Sequence, residues 1–480
     1  MVNRAQISTA VRWSGLEAVA HQLTQFFVTV VLARLLTPAD FGLIALVAIV
    51  IATTTAISTA GLIGSLIQKE EVSDTEVSTV FYIVLIFAVV AFAAVFASAD
   101  WLAAFFGQEA LNEIVPLLAS TILINAIGAP HYAMLARDLR FKRIASADLV
   151  ALTVASATAI FLALKDLGYW VLVAQQVCFA ATRTLSLWTI GTWKPTLAFD
   201  LVVVKPHLAY GSRTLIGGLL GQVSSHLYST AIGKLFGATE AGLYSRALQL
   251  QRGPSRTIGR GISRVNLSVF ARLQGDKVSI RRSMLDTINL LVFLTLPLMA
   301  LLALLAEPII VLLFTEKWIA CVPYVQLLAV VGMLYPLHLV NVNALLGTGQ
   351  AKLFQLVEAA KLLLAILNIA VLWQHGVYAI LYGQIVVSFV ALYLNCRATQ
   401  EIVELGVMRQ LFECRKYVLA AITAVVFILL FKSAEISWFV LIGQLILGGL
   451  VYVAVCLFLK AEALSLALQA GGFRKAKWFK

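Results

Sequence analysis

What most limits this chain is a succession of long apolar runs. Each is near the ~20 residues that a helix needs to cross a bilayer, and short polar interruptions separate them. Read by apolar length and polar punctuation, the runs fall at 11–36, 41–67, 79–99, 115–135, 146–165, 168–190, 208–236, 240–272, 287–315, 320–346, 355–374, 376–398, 414–431 and 437–459. The expected fold is an all-α polytopic membrane protein with about 14 transmembrane helices. Composition closes the alternatives. Of the 480 residues, 61% are hydrophobic and 12% charged, against roughly 25% charged in soluble domains. That is too little charge to cover a soluble globule of this length. A soluble enzyme, a disordered chain and a fibrous one are excluded, and no stretch is long and polar enough for a soluble domain.

The net charge of +12 would point to nucleic acid in a soluble chain. Here its placement points to topology instead, because Lys and Arg collect in cytoplasmic loops. With the N-terminus inside, the inner loops hold Arg137, Arg140, Lys142 and Arg143, then Lys194 and Lys205, then Arg272, Lys277, Arg281 and Arg282, then Arg397, Arg409, Arg415 and Lys416. The tail adds Arg474, Lys475, Lys477 and Lys480. The outer loops offer Arg34, Lys165, Lys234, Lys317 and Lys432, and the outer loop 100–114 has none. Both termini are expected in the cytoplasm. Trp13, Trp101, Trp170, Trp188, Trp318, Trp373 and Trp438 fall near span ends, as an interfacial belt requires. Five scattered cysteines form no CxxC pair, so neither a disulfide framework nor a thiolate metal site is expected. The N-terminus lacks the pattern of a cleaved signal peptide, so the first run is expected to stay as a helix.

The chain repeats itself. Residues 33–44 read ARLLTPADFGLI and residues 233–244 read GKLFGATEAGLY. An offset of 200 pairs Arg34 with Lys234, Asp40 with Glu240, Gly42 with Gly242 and Leu43 with Leu243; further on, Pro116 matches Pro323 and Lys142 matches Lys352. An even number of spans separates the copies, so they share one orientation. Parallel repeats imply two pseudo-symmetric six-helix lobes around a central cavity. The lobes are 1–200 (helices 1–6) and 201–400 (helices 7–12), followed by 401–480 (helices 13–14 and a basic cytoplasmic tail).

The eighth run carries the strongest chemical signal. It holds Arg246, Arg252, Arg256, Arg260 and Arg264. A guanidinium at mid-membrane costs about 2.5–3.5 kcal/mol on insertion scales, so several together cannot face lipid. At ~100° per residue, Arg246, Arg256, Arg260 and Arg264 fall within ~80° of one another, with Arg252 ~40° beyond Arg256. This is an arginine ladder, suited to bidentate binding of phosphate oxygens as an anionic head group changes depth. The competing reading is interfacial anchoring by snorkelling, strongest for Arg264 and Arg272. Gly253-Pro254, Gly259 and Gly261 predict a bent or broken helix. The first run places Glu17, His21 and Gln25 on one face, and the seventh holds Arg213, Gln222, Ser224, Ser225 and His226. Glu17, His21, Gln25 and His226 are candidates for a coupling ion or a gate; a structural hydrogen-bond pairing is the alternative. Asp148, Arg183, Glu358 and Lys361 lie nearer span ends, with Glu358 and Lys361 spaced to neutralise each other. The stretch KEEVSDTE (69–76) reads as a solvated inner loop, and GTGQAK (347–352) as a turn rather than a phosphate loop. No cofactor, metal set or catalytic constellation is present in the pattern.

The LARLLTPADFGLIAL segment, its echo at 233–244 and the fourteen-run layout resemble the polysaccharide exporters. These are the lipid-linked oligosaccharide flippase branch of the multidrug/oligosaccharidyl-lipid/polysaccharide exporter superfamily. The resemblance implies a non-enzymatic flippase that moves undecaprenyl-pyrophosphate-linked oligosaccharides to the outer leaflet by alternating access, for lipopolysaccharide, O-antigen or exopolysaccharide biosynthesis. It places the pyrophosphate and glycan in a cationic cavity, a role that the arginines of the eighth run, with Arg213, match by location. Its implied partners are the glycolipid, the bilayer, and a polysaccharide polymerase with its chain-length machinery. Two rivals remain open. A drug antiporter of the same fold would need acidic and aromatic groups for cationic substrates, and a membrane enzyme of the same pathway would need a larger outer loop or a soluble domain.

Overall fold

The computed structural model describes residues 22–463 except 60, 70, 201, 203 and 432–434; within α9 and α10, defined below, the side chains of 209, 210, 212–214, 216, 217, 256, 257, 260 and 264 are also left undescribed. Every described regular element is a helix. In chain order these are α1 (Gln22–Leu35), α2 (Pro38–Thr59), α3 (Leu62–Gln68), α4 (Asp74–Ala97), α5 (Ala99–Phe106), α6 (Leu111–Arg137), α7 (Phe141–Ala163) and α8 (Trp170–Ile190). They continue as α9 (Val204–Phe236), α10 (Ala238–Arg272), α11 (Lys277–Leu304), α12 (Ala306–Phe314), α13 (Val322–Met333), α14 (Tyr335–Gly347), α15 (Ala351–Leu372), α16 (Val377–Val403), α17 (Val407–Leu430) and α18 (Trp438–Phe458). Among the described residues, nine helices are long and apolar enough to cross a membrane by length and composition alone. With these spans and its exposed apolar side chains, the chain is a multi-pass helical membrane protein. The helices α9 and α10 fall outside the nine because polar and charged residues interrupt them.

Where its residues are described, each apolar run falls on helix, but several are divided. The run 41–67 becomes α2 and α3, turned at Gly61 with φ +69°, a left-handed conformation that glycine adopts at little cost. The run 320–346 becomes α13 and α14, parted at Leu334–Tyr335 ahead of Pro336. The outer stretch 100–114, expected as a loop, contains α5. Its inner face (Ala99, Leu102, Ala103, Phe106) is buried, whereas Trp101 is 63% exposed and stacks on Phe105. A short helix with an exposed Trp suits a membrane interface.

The chain forms two compact units, Met1–Ser245 and Arg246–Lys480. In the first, α7 pairs with α8, α8 with α6, α6 with α4 and α2 with α9. Leu46, Leu62, Val77, Val84, Leu111, Val115 and Ala119 make its dry centre. In the second, α11 packs against α13 and α17, α17 against α18, and α15 against α16. Its core is Phe270, Met284, Ile288, Val340, Ala344, Tyr417 and Tyr452. A fully buried polar knot ties α14, α16 and α17: Asn341 Nδ2 donates to Gln410 Oε1 (2.8 Å), Gln410 Nε2 to Asn341 Oδ1 (3.1 Å) and Thr399 Oγ1 to Asn341 Oδ1 (2.6 Å). With each polar group satisfied, burial is tolerated.

The order of elements repeats. The series α4, α5, α6, α7, α8 has the same long–short–long sequence as α11, α12, α13–α14, α15, α16. The repeated TPADFGL segment is a helix start. Thr37 is followed by Pro38 at the first helical position, and the Thr37 amide and hydroxyl both donate to Asp40 Oδ2 (2.8 and 2.6 Å). The first turns of α2 and α10 then cross reciprocally. A Cβ on Gly42 would strike the Ala238 carbonyl, and a Cβ on Gly242 the Pro38 carbonyl. The same offset of 200 relates 38 to 238 and 42 to 242, so the short sequence match marks a real self-complementary crossing.

Candidate functional site

The arginine helix α10 is continuous over 35 residues, including Gly253-Pro254. The expected break is therefore not made. Proline removes one backbone donor and crowds the preceding turn, but the helix continues past it, held by a tightly packed face. That face is built from small and polar groups at intervals near four. Gln251 occupies the space beside Gly332, Ser255 donates to the Gln251 carbonyl (3.3 Å) and lies 3.9 Å from Met299 Sδ, and Gly259 sits under the Tyr335 ring. Asn343 Nδ2 donates to Ser263 Oγ (2.9 Å), Thr287 Oγ1 donates to Asn266 Oδ1 (3.2 Å), and Phe270 fills the space left by Gly347. All the partners lie in the second unit.

At about 100° per residue from Gln251, these packed positions span roughly 0–120°, while positions 256, 260 and 264 lie at roughly 140–220°. The arginine stripe therefore sits beside the helix's packing face rather than in it. Arg252 is the exception and shares the azimuth of the packed positions. Arg246, at the other end, is half-buried, with the buried Cys321 beside it. For Arg213, Arg256, Arg260 and Arg264 the helical backbone is described and the side chains lie outside the described residues. Glu17 and His21 lie outside them altogether. Gln25 is exposed on α1, and His226 is half-buried on α9.

Other ionisable groups resolve into local pairs. Arg183 Nε donates to Asp148 Oδ1 (2.5 Å), and Lys361 Nζ to Glu358 Oε1 (2.6 Å). Asp148 on α7 and Glu358 on α15 are separated by the same 210 residues as Lys142 and Lys352. Each copy thus holds one carboxylate at the same position, neutralised by its own cation. Lys69 and Glu76 correct the expectation of a solvated loop at 69–76. Ser73 caps α4, accepting from the Glu76 amide (3.2 Å), and the Glu76 carboxylate is buried against Lys69 and His207. The signal for this was the S-x-x-E capping pattern at 73–76, which makes the stretch a helix start.

The described residues thus form an all-helical, multi-span chain whose helix order recurs and whose α10 carries a stripe of arginine positions along its length. The comparisons agree. A model of the family described as polysaccharide biosynthesis protein matches residues 31–323, and the chain belongs to that family. It is 26% identical over 321 residues to the teichuronic acid biosynthesis protein TuaB of Bacillus subtilis, covering 66% of each chain. It is 25% identical over 340 residues to the lipopolysaccharide biosynthesis protein WzxC of Escherichia coli (69% of this chain, 68% of the relative). The succinoglycan biosynthesis transport protein ExoT of Rhizobium meliloti is 23% identical over 336 residues (70% and 68%). The chain thus spans about two thirds of the length of these relatives. In fold it is similar to the lipid II flippase MurJ in an inward closed conformation (TM-score 0.74, 13% identity, 95% of this chain and all of the other). It is also similar to an inward-facing multidrug resistance MATE family transporter of the MOP superfamily (TM-score 0.62, 15% identity, 80% and 95%).

Proposed function

We propose that this chain is a flippase for undecaprenyl-pyrophosphate-linked oligosaccharides, carrying them from the inner to the outer leaflet of a bacterial inner membrane for cell-surface polysaccharide assembly. The observation that carries this is the arginine stripe of α10. Three of its positions lie beside the face that packs the helix into its own unit, in a chain whose relatives are named for polysaccharide biosynthesis and transport. A diphosphate glycolipid is anionic and too polar to cross hydrocarbon unaided. Arginines spread over the depth of one helix give its phosphates successive bidentate partners, while the polyprenyl tail stays in lipid.

In this reading the six-helix lobes 1–200 and 201–400 flank a central cavity, and residues 401–480 are added to them. The fourteen runs all cross, with both termini cytoplasmic. Arg213, Arg246, Arg252, Arg256, Arg260 and Arg264 line the path. Glu17, His21, Gln25 and His226 couple an ion or gate the path. Transport proceeds by alternating access, without a cofactor and without covalent chemistry, and supplies a polymerase on the outer side.

The MATE fold likeness favours one second reading, a drug antiporter for cationic substrates. The test is the double variant Arg256→Gln/Arg260→Gln, assayed for glycolipid translocation in proteoliposomes. Loss of translocation with normal insertion supports the flippase. Full translocation reduces the stripe to an anchor.

A further inference from the structure

The segment that joins α8 to α9 turns three apolar side chains outward from a backbone that is fastened down. Leu197 is 97% exposed, Val202 82% and Phe199 48%. The fastenings hold the segment against α4 and α6. Trp193 is buried, its ring 5.8 Å from that of Phe81 on α4 and 5.3 Å from that of His131 on α6. The Thr196 amide donates to Ser78 Oγ (3.1 Å), the Tyr82 hydroxyl to the Thr196 carbonyl (3.0 Å) and the Asp200 amide to Thr79 Oγ1 (3.0 Å). The Val202 amide donates to Asp200 Oδ1 (2.8 Å) and turns the chain there. A segment held at Trp193, Thr196 and Asp200 is not free to fold its apolar side chains back beneath itself. Large apolar groups exposed together mark a contact surface.

The height of the fastening identifies what that surface meets. The helix α4 has 24 residues, about 36 Å at ~1.5 Å per residue. Set upright across a hydrocarbon core of about 30 Å, it overhangs by about 3 Å at each end. From Asp74 at the helix start, Ser78 lies about 6 Å and Tyr82 about 12 Å along the axis. The segment is therefore strapped to α4 at the hydrocarbon boundary and just inside it. Its flanks are cationic: Lys194 and Lys205 are both exposed. Arg143 Nη1 donates to the Ile190 carbonyl (3.1 Å), which brings the basic start of α7, with Arg140 and Lys142, beside the end of α8. Asp200 is the one acid in 191–203, and its carboxylate accepts from the Val202 amide.

We propose that this segment is a membrane-inserted strap, with Leu197, Phe199 and Val202 in the acyl region of the adjoining leaflet and Lys194 and Lys205 on the phosphates of anionic lipids. Lysine stems reach from the apolar level to the headgroups, and each basic residue near an anionic surface adds to the attraction. Irregular backbone at this depth needs its polar groups paired. The Thr196, Asp200 and Val202 amides and the Thr196 carbonyl already are. On the topology proposed above this is the cytoplasmic leaflet, but the depth of the fastening does not depend on that. The strap makes the entry into α9 sensitive to lipid charge, whatever the chain carries.

The experiment puts a solvatochromic amino acid in place of Leu197 in the full chain in nanodiscs, and separately in place of Lys194. The quenchers are lipids with a nitroxide near the top of the acyl chain and iodide in the water. At 197 the emission should lie at shorter wavelength than at 194, with quenching by the nitroxide lipid and loss of the iodide response; at 194 iodide should quench. Mixing phosphatidylglycerol into phosphatidylcholine should strengthen nitroxide quenching at 197, and Lys194→Gln/Lys205→Gln should remove that gain. Iodide quenching at 197 without nitroxide quenching overturns the proposal and leaves the patch to a protein partner. A gain that survives in the double variant overturns the part given to the lysines. If the chain labelled at 197 does not fold, position 202 carries the same test. No arm uses glycolipid, and quenching reports depth rather than sidedness, so failure here and failure of the flippase reading are distinguishable.

Discussion

In the first copy of the repeat, positions 52, 56, 60 and 64 are Ala, Ala, Ala and Gly; two hundred residues later they are Arg252, Arg256, Arg260 and Arg264. The helices that carry them start alike and cross through Gly42 and Gly242. They then part. The first ends at Thr59 and turns through Gly61 into α3, while the second continues unbroken to Arg272. The difference shows what each part of the duplicated segment does. The start is where the two segments cross, and in the reading proposed above the stripe gives the second copy a role that the first lacks. Guanidinium groups are costly in a membrane without a polar environment, so a stripe present in one copy and absent from the other makes that helix the one to test.

The strongest way to break the comparison is at the joint. Gly42→Val and Gly242→Val place side-chain atoms against the Ala238 and Pro38 carbonyls, and overpacking against rigid backbone costs roughly 1–3 kcal/mol or more. Both should lower folded yield strongly and to a similar extent, as read by detergent-solubilised thermal unfolding. A large asymmetry would mean the crossing is not a symmetric joint. Next comes the stripe. Arg256→Gln/Arg260→Gln should cut translocation by about a hundredfold, the equivalent of roughly 2.7 kcal/mol, with unfolding little changed. Ala52→Ser/Ala56→Ser in α2 should leave translocation intact.

A smaller effect is expected at the buried knot of the second unit. Asn341→Ala leaves Gln410 Oε1 without its donor, and an unsatisfied buried polar group costs about 1–3 kcal/mol. A lowered unfolding midpoint without loss of translocation per folded molecule checks it. The smallest effect separates the caps of two matching helices. Ser73 caps α4 without charge, whereas Asp276 caps α11 with a carboxylate held below its ordinary range by hydrogen bonds from the Ser279 hydroxyl and amide and the Val278 amide. A depressed carboxyl contributes above its unfolded value and is lost as pH falls through the folded one. Replacing Asp276 by Ser should flatten a slight acid-side decline in stability, and Ser73→Ala should not.

The all-helical character and the helix start at Thr37–Asp40 were legible because apolar length and a helix-start pattern are local signals. What was not legible is instructive. The short helix α5 hides in a stretch read as loop because eight residues carry little periodicity. The unbroken course of α10 through Pro254 depends on side chains of α11, α13 and α14 that local sequence does not reveal. Lys69 and Glu76 read as part of a charge run, and only the fold shows that a histidine 131 residues away buries that carboxylate. For the site, the arginine stripe was visible as a periodicity. That it lies beside the packing face emerged only once Gln251, Ser255, Gly259 and Ser263 were seen in contact with their partners.

The most direct test of the central claim is ligand-induced stabilisation of the purified protein, since a ligand that binds only the folded state must stabilise it. Undecaprenyl-pyrophosphate oligosaccharide, bare undecaprenyl phosphate and a panel of cationic drugs would be compared on wild type and on Arg256→Gln/Arg260→Gln. The account predicts that the glycolipid raises the unfolding midpoint of the wild type, that the double variant loses this response, and that the cations have no effect. Stabilisation by the cations, or by the glycolipid equally in both proteins, would contradict it.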